Sequence, residues 1–383
     1  MANIPQLKSK LPHIGATIFS KMSALANEYN AVNLSQGFPD FEVDPKLIDM
    51  VEKNMRWGKN QYAPYTGVRE LREVLSQQIH RDHGHLYDTD LEVNITAGAT
   101  QAIASVITAS ISPGDEVILF SPSYDCYAPY IELNGGIPVY VELNFPSYTI
   151  NWEAARKAIG PKTKMIIINS PHNPTASTIS ENDLLELEEI TTGTEILILA
   201  DEVYEHIVFD GQKHHSVCSK PNLANRCFLV GSLGKTLHIT GWKTGFCMAP
   251  QSLMGEFRKV HQFMVFSVNT PMQYALAEYL QEDQNFRISE MYQGKRDVFL
   301  KSIEGSKFKA LKSQGTYFQL LDYSEITDEK DVDFAVRLTK EFGVASIPLS
   351  VFYSEPVDHK TLRFCFAKND ETLKKAGELL KRV

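Results

Sequence analysis

The chain has 383 residues, which at roughly 150 residues per domain suggests two or three domains rather than a single core. Its content of 43% hydrophobic, 10% aromatic and 22% charged residues is that of an ordinary globular protein and excludes a disordered chain. With 38 basic against 47 acidic residues the net charge is −9, so no global positive field holds nucleic acid or an anionic membrane, and any anion site has to be built locally.

The first 40 or so residues are too few and irregular for a domain and are expected to form an arm, 1–40, that packs on the C-terminal domain or on a partner subunit. The opening stretch MANIPQLKSKLPHIGATIF shows no continuous apolar run followed by a small-residue cleavage site. Apolar runs elsewhere, such as Met165–Ile168 and Ile196–Ala200, are far shorter than the roughly 18 residues of a membrane span. A cytoplasmic protein without membrane contact is therefore expected. The five cysteines, Cys126, Cys218, Cys227, Cys247 and Cys365, are odd in number and form no CxxC pair, which fits reduced thiols better than disulfides or structural zinc. His80, His83 and His85 follow a helical pattern, but no carboxylate completes a metal set, so they read as a solvated helix end and no metal is expected.

From about residue 90 to 250, short apolar runs alternate with longer helical patterns: VNIT, EVILF, MIIIN, ILILA, CFLVG and GFCMA. Runs that are apolar on both faces and bounded by turn signals suit strands of a parallel sheet covered by helices. The expectation is an α/β fold: a large domain, 41–275, with a mostly parallel sheet flanked by helices. After about 275 the pattern turns to amphipathic stretches (MQYALAEYLQ, DVDFAVRLTKEFG, ETLKKAGELLKR) with strand-like TYFQLLDY and LRFCFA, which predicts a smaller α+β domain, 276–383.

Ligands of open α/β sheets bind outside the carboxyl ends of the strands, so the residues after each strand matter most. VNIT is followed by Ala97-Gly98-Ala99-Thr100 and a helical pattern, a turn whose backbone amides can hold a phosphate. EVILF leads to Tyr124, an aromatic ring at the crevice, and MIIIN to Ser170-Pro171-His172-Asn173-Pro174, a turn presenting the Asn173 amide. ILILA leads to Asp201, Glu202 and Tyr204; CFLVG leads to Ser232 and Lys235, then Gly241-Trp242-Lys243. Each residue alone is commonplace, since an Asp at a strand end is often a helix cap. Together they offer phosphate donors, a stacking ring, an amide, a carboxylate with a phenol, and a lysine, the parts that pyridoxal 5'-phosphate needs. Lysine forms a Schiff base with the aldehyde, and Lys235 with Lys243 nearby can supply the desolvated, cation-flanked amine that such chemistry requires. Asp201 suits the ring nitrogen, Asn173 and Tyr204 can both donate to the phenolate oxygen, and Tyr124 can stack on the ring.

The segment SLGKTLHITGWKTGF resembles the lysine signature of class I pyridoxal phosphate-dependent aminotransferases of fold type I. NLSQGFPDF, NQYAPYTGVRELR, TAGATQAI, SPSYDCYAP, SPHNPTA, DEVYEHI and LRFCFA extend that likeness over nearly the whole chain, nearest to the bacterial methionine aminotransferases and then to the kynurenine/glutamine aminotransferases. The resemblance implies Lys235 as the Schiff-base lysine and Ala99, Thr100, Ser232 and Lys243 on the phosphate. It also implies Tyr62 reaching the phosphate of a neighbouring subunit, hence a homodimer with shared sites. Arg363 is implied to take the substrate's α-carboxylate, with Gly37 closing over it; Tyr65 matches nothing. Many members carry arginine where Lys243 stands, and lysine lacks the bidentate fork. The implied activity is a ping-pong transfer of the amino group of methionine, with aromatic amino acids, histidine or glutamine as further donors, to a 2-oxo acid.

A P-loop NTPase would need glycine at 229, which is Leu229, and a nicotinamide dehydrogenase would need GxGxxG where TAGATQA stands. A transcription regulator would need a DNA-binding module that the N-terminal residues cannot house. The rival within the same chemistry is a carbon–sulfur β-lyase.

Overall fold

Seven strands form the central sheet of the computed structural model, which describes residues 7–282, 287–355 and 357–383: β1 (Val93–Thr96), β2 (Glu116–Ser121), β3 (Ile137–Glu142), β4 (Thr163–Asn169), β5 (Leu197–Asp201), β6 (Cys227–Ser232) and β7 (Gly245–Met248). They lie in the order β1-β7-β6-β5-β4-β2-β3, all parallel except β7, which is antiparallel to both neighbours.

Alternation along the strands explains the doubly apolar runs. Val117, Leu119, Met165, Ile167, Leu199, Phe228 and Val230 pack on one face against Ile103, Val106 and Ile107 of the helix Ala99–Ser110 and Met254 and Phe257 of the helix Gln251–Met264. Ile118, Phe120, Ile166, Ile168, Ile198, Ala200 and Leu229 point the other way, to Leu71, Leu75 and Ile79 of the helix Arg69–His83. Each fully buried aliphatic side chain contributes about 1.5–3 kcal/mol, so the sheet is fixed from both sides.

Two expectations about this sheet need correction. β3 was not anticipated: it is the edge strand, partly exposed and interrupted by Pro138, which an edge tolerates, so it shows no continuous apolar run. GFCMA is a strand but an antiparallel one. The chain between β6 and β7 holds only the single turns Leu233–Thr236 and Thr240–Trp242, and without a crossover helix it returns on the same side.

A second, four-stranded antiparallel sheet joins Ile347–Pro348, Thr361–Cys365, Phe318–Asp322 and Lys309–Ala310, with the helices Ile288–Ser302, Asp331–Phe342 and Asp370–Leu380 around it. Of the expected arm, residues 1–6 lie outside the described residues. Its helix Ile18–Glu28, capped by Thr17, packs on Asp331–Phe342, and Val32–Asn33 pairs in parallel with Val344–Ala345. The boundary expected at 275/276 falls within the helix Thr270–Glu282, which packs on Pro45–Arg56. Among the described residues no helix is long and apolar enough to cross a membrane.

Candidate active site

At the carboxyl edge of the large sheet, Ala99, Thr100, Tyr124, Asn173, Asp201, Tyr204, Ser232, Lys235 and Lys243 line one cavity of about 150 Å³. Five strand ends converge there, and because β7 is antiparallel, its N-terminal side brings Lys243 to the same edge. Gly98 stands at φ +80°, with Lys243 Cε and Nζ each 3.2 Å from where its Cβ would be. A side chain there would be strained and would displace the lysine from the first turn of the helix Ala99–Ser110, where backbone N–H groups lack intrahelical partners. An ammonium beside a helix N-terminus is suited to a phosphate.

Asp201 ends β5 on the face of that helix. Its Oδ2 accepts from Tyr127 Oη at 2.5 Å and its Oδ1 from the Val203 amide at 3.4 Å. Burial pushes its pKa up to about 6 against the pull of the Tyr127 bond. A buried carboxylate in that condition fits an N–H partner such as a protonated pyridine. Asn169 braces both neighbours: its Nδ2 donates to the Asp201 carbonyl at 2.8 Å and its Oδ1 accepts from the Asn173 amide at 2.9 Å.

Lys235 Nζ donates to Tyr317 Oη at 2.9 Å, and Tyr317 Oη donates to the Gly37 carbonyl at 2.6 Å. Burial lowers the Lys235 pKa to about 8, with Lys243 acting in the same direction but as a smaller influence. Desolvation is thus a stronger cause than the neighbouring lysine. Tyr204 is buried, edge-on to Tyr317 at 5.1 Å, and burial pushes its phenol up.

Arg363, on the strand Thr361–Cys365, is 1% exposed. Its Nη1 donates to Asn173 Oδ1 at 2.5 Å, so the Asn173 amide is left to offer its NH2 end as a donor. The guanidinium lies 3.9 Å from the Phe318 ring centre, with Phe352 at 5.1 Å and Phe19 at 5.2 Å. Nε and Nη2 are buried without a hydrogen-bond partner. Burial lowers its pKa, and the negative charge of Asp125 works against this. Two orphaned donors on a buried cation, each costing about 1–3 kcal/mol, are the arrangement that an incoming carboxylate would satisfy. Gly37 lies against Phe318, where a Cβ would be 2.8 Å from Cζ.

Tyr62 does not join the cavity: it is 81% exposed, its ring edge-on to Phe266 at 5.1 Å. Tyr65 also stays outside, its carbonyl accepting from His261 Nε2 at 3.0 Å. Sequence reasoning missed Tyr127, Asn169 and Tyr317. The spacing of Tyr124, Tyr127 and Tyr130 was a usable signal, since buried phenols need partners; Tyr317, in an apolar strand segment, resembled core. The three histidines also part company. His80 is exposed and His85 meets Tyr87 edge-on at 4.4 Å, but His83 turns inward to Glu205, 3.2 Å away, which corrects the expectation that no carboxylate reaches the group.

Residues 29–380 match the family of class I and II aminotransferases. The methionine aminotransferase of Escherichia coli strain K12 is 45% identical over 386 aligned residues, covering 100% of both chains. The kynurenine–oxoglutarate transaminase of Dictyostelium discoideum is 35% identical, over 96% of this chain and 94% of that one. The solved structure of an Escherichia coli protein with a methionine aminotransferase function superposes with a TM-score of 0.96 at 46% identity, over 99% of this chain and 100% of that one.

Proposed function

This chain belongs to the class I and II aminotransferases, which depend on pyridoxal phosphate, and on that premise we propose that it transfers the amino group of methionine to a 2-oxo acid by a ping-pong mechanism. Aromatic amino acids, histidine and glutamine are further donors in this reading. The observation that carries it is Arg363: a buried guanidinium with two unsatisfied donors, walled by Phe19, Phe318 and Phe352. The charge suits the α-carboxylate that all amino acids share. The aromatic walls suit an apolar or aromatic side chain, and methionine sulfur makes favourable contacts with rings.

When bound, pyridoxal phosphate supplies an electron sink for the bond broken at the substrate's α-carbon. Lys243, Ser232 and the amides of Ala99 and Thr100 would hold its phosphate. Asp201 would face the ring nitrogen, Asn173 and Tyr204 would donate to the phenolate oxygen, and Tyr124 would stack. Lys235 Nζ acts as general base and acid at the substrate's α-carbon; a pKa near 8 leaves part of the amine unprotonated at neutral pH. Tyr317 orients that amine and ties it to Gly37, so the proton carrier and the loop beside Arg363 are connected. Tyr62 is assigned to the phosphate of a second copy, its exposure supporting a homodimer with shared sites. The five free thiols support a reducing, cytoplasmic setting.

The test uses purified holoenzyme with a panel of amino donors. Without a 2-oxo acid acceptor, methionine should give one equivalent of its 2-oxo acid and then stop; adding an acceptor should restart turnover. Aspartate as the best donor, or pyruvate and ammonia released continuously from a cysteine conjugate without acceptor, would overturn the reading in favour of another transaminase or a β-lyase respectively.

A further inference from the structure

β5 serves two clusters on opposite sides of the sheet. Asp201 points into the cavity, and Glu202, whose amide continues the ladder to the Val230 carbonyl at 2.9 Å, turns to the other face. There Glu202 Oε2 lies 2.7 Å from His214 Nε2, and its Oε1 accepts from the Val217 amide at 2.8 Å. His83, the last residue of the helix Arg69–His83, places Nε2 3.2 Å from Glu205 Oε2. The two imidazole rings meet at 5.5 Å, edge to face. One ligand-type atom each from His83, Glu202 and His214 lies within 4.8 Å of the others. All four side chains are at most 8% exposed.

Two buried carboxylates need two units of positive charge. His206, 21% exposed, stands at the rim of the cluster, its Nε2 2.9 Å from the Gln78 amide nitrogen and 3.6 Å from Glu205 Oε1. His214 Nδ1 is buried without a hydrogen-bond partner. One divalent cation balances both carboxylates while both imidazoles stay neutral, the form in which they ligate.

We propose that His83, His214 and Glu202, with Glu205 beside His83, form a binding site for a divalent cation, zinc(II) by the chemistry of two imidazole nitrogens and a carboxylate oxygen. Tetrahedral ligands at 2.0–2.1 Å from zinc stand about 3.3 Å apart, inside the 4.8 Å that bounds the three ligand atoms. All three ligands are buried side chains, which makes the role structural. The cation would clamp the segment 201–205, which carries Asp201 and Tyr204, to the end of the helix Arg69–His83. The three ligands come from three separate stretches of chain, so such a clamp joins elements that the sequence does not.

Holoenzyme is incubated with zinc chloride, dialysed against metal-free buffer, and assayed for zinc by elemental analysis, with thermal unfolding followed in parallel. The wild type should keep one zinc per chain and unfold at a higher temperature for having it. His83→Gln and His214→Gln should keep none and show no such rise, while retaining the visible absorbance of the bound cofactor. Should His214→Gln not fold, His83→Gln at the helix end reads the same quantity. Zinc absent from the dialysed wild type, or retained equally by the variants, overturns the assignment.

Discussion

Replacing Arg363 by Met should produce two effects of opposite sign. In the wild type, Nε and Nη2 have no protein partner and Nη1 is bound to Asn173 Oδ1. A substrate carboxylate taken by those two donors makes two charge-assisted hydrogen bonds, each about 1.5–3 kcal/mol. Their loss, roughly 3–6 kcal/mol, should lower kcat/KM for every amino acid donor by about 10²- to 10⁴-fold at about 1.4 kcal/mol per decade. Arg363→Lys keeps the charge but not the fork and should fall in between. The ligand-free Met variant should be more stable, because an incompletely paired buried cation is exchanged for an apolar chain of similar length; about 1–4 kcal/mol is the usual scale. Steady-state kinetics with methionine, with the corresponding amine lacking the carboxylate, and thermal unfolding separate the two effects. A kcat/KM for methionine within threefold of wild type, or an equal loss for the carboxylate-free amine, would show that another group binds the carboxylate.

Asp201→Asn should lower kcat by about 10²- to 10³-fold, on the scale of about 3–5 kcal/mol for breaking a buried charge pair, measured at saturating donor. Because burial raises the folded pKa of Asp201 to about 6, its ionisation destabilises the cofactor-free chain as pH rises past the unfolded value; the Asn variant should lose less stability between pH 4 and 7, read by thermal unfolding. Lys235 has the opposite sign to a stabilising lysine: its folded pKa is lowered to about 8, so the protonated form costs stability below that pH, and the cost fades as pH climbs toward 10.5. Lys235→Met should therefore stabilise the cofactor-free chain at pH 7 and do so much less at pH 10, while abolishing turnover. Tyr317→Phe removes the bond to Lys235 and strands the Gly37 carbonyl; the expected outcome is a drop of roughly tenfold in kcat/KM with a displaced basic limb of its pH profile, a shift that a merely structural tyrosine would not cause.

Most of the cavity was legible because its residues sit at the ends of strands that announce themselves. Met165–Ile168 and Ile198–Ala200 are apolar on both faces, so the sequence alone places Asn173 and Asp201 at the sheet edge. Arg363, Gly37 and Tyr62 were not legible that way; they came from motif resemblance, since nothing local marks an arginine in a strand as a carboxylate receptor. What stayed hidden was long-range. Tyr317 reaches Gly37 across 280 positions, and His83 meets Glu205 across 122, distances over which a sequence pattern carries no partner information. β3 escaped for another reason: an edge strand needs only one apolar face, and Pro138 masked even that.

The most direct measurement is the mass of the tryptic peptide carrying Lys235 after borohydride reduction of freshly purified holoenzyme. Expected is the increment of one reduced pyridoxyl phosphate on that residue and on no other lysine. An unmodified Lys235 peptide beside a labelled Lys243, or no labelled peptide at all, would contradict the placement of the cofactor and the chemistry built on it.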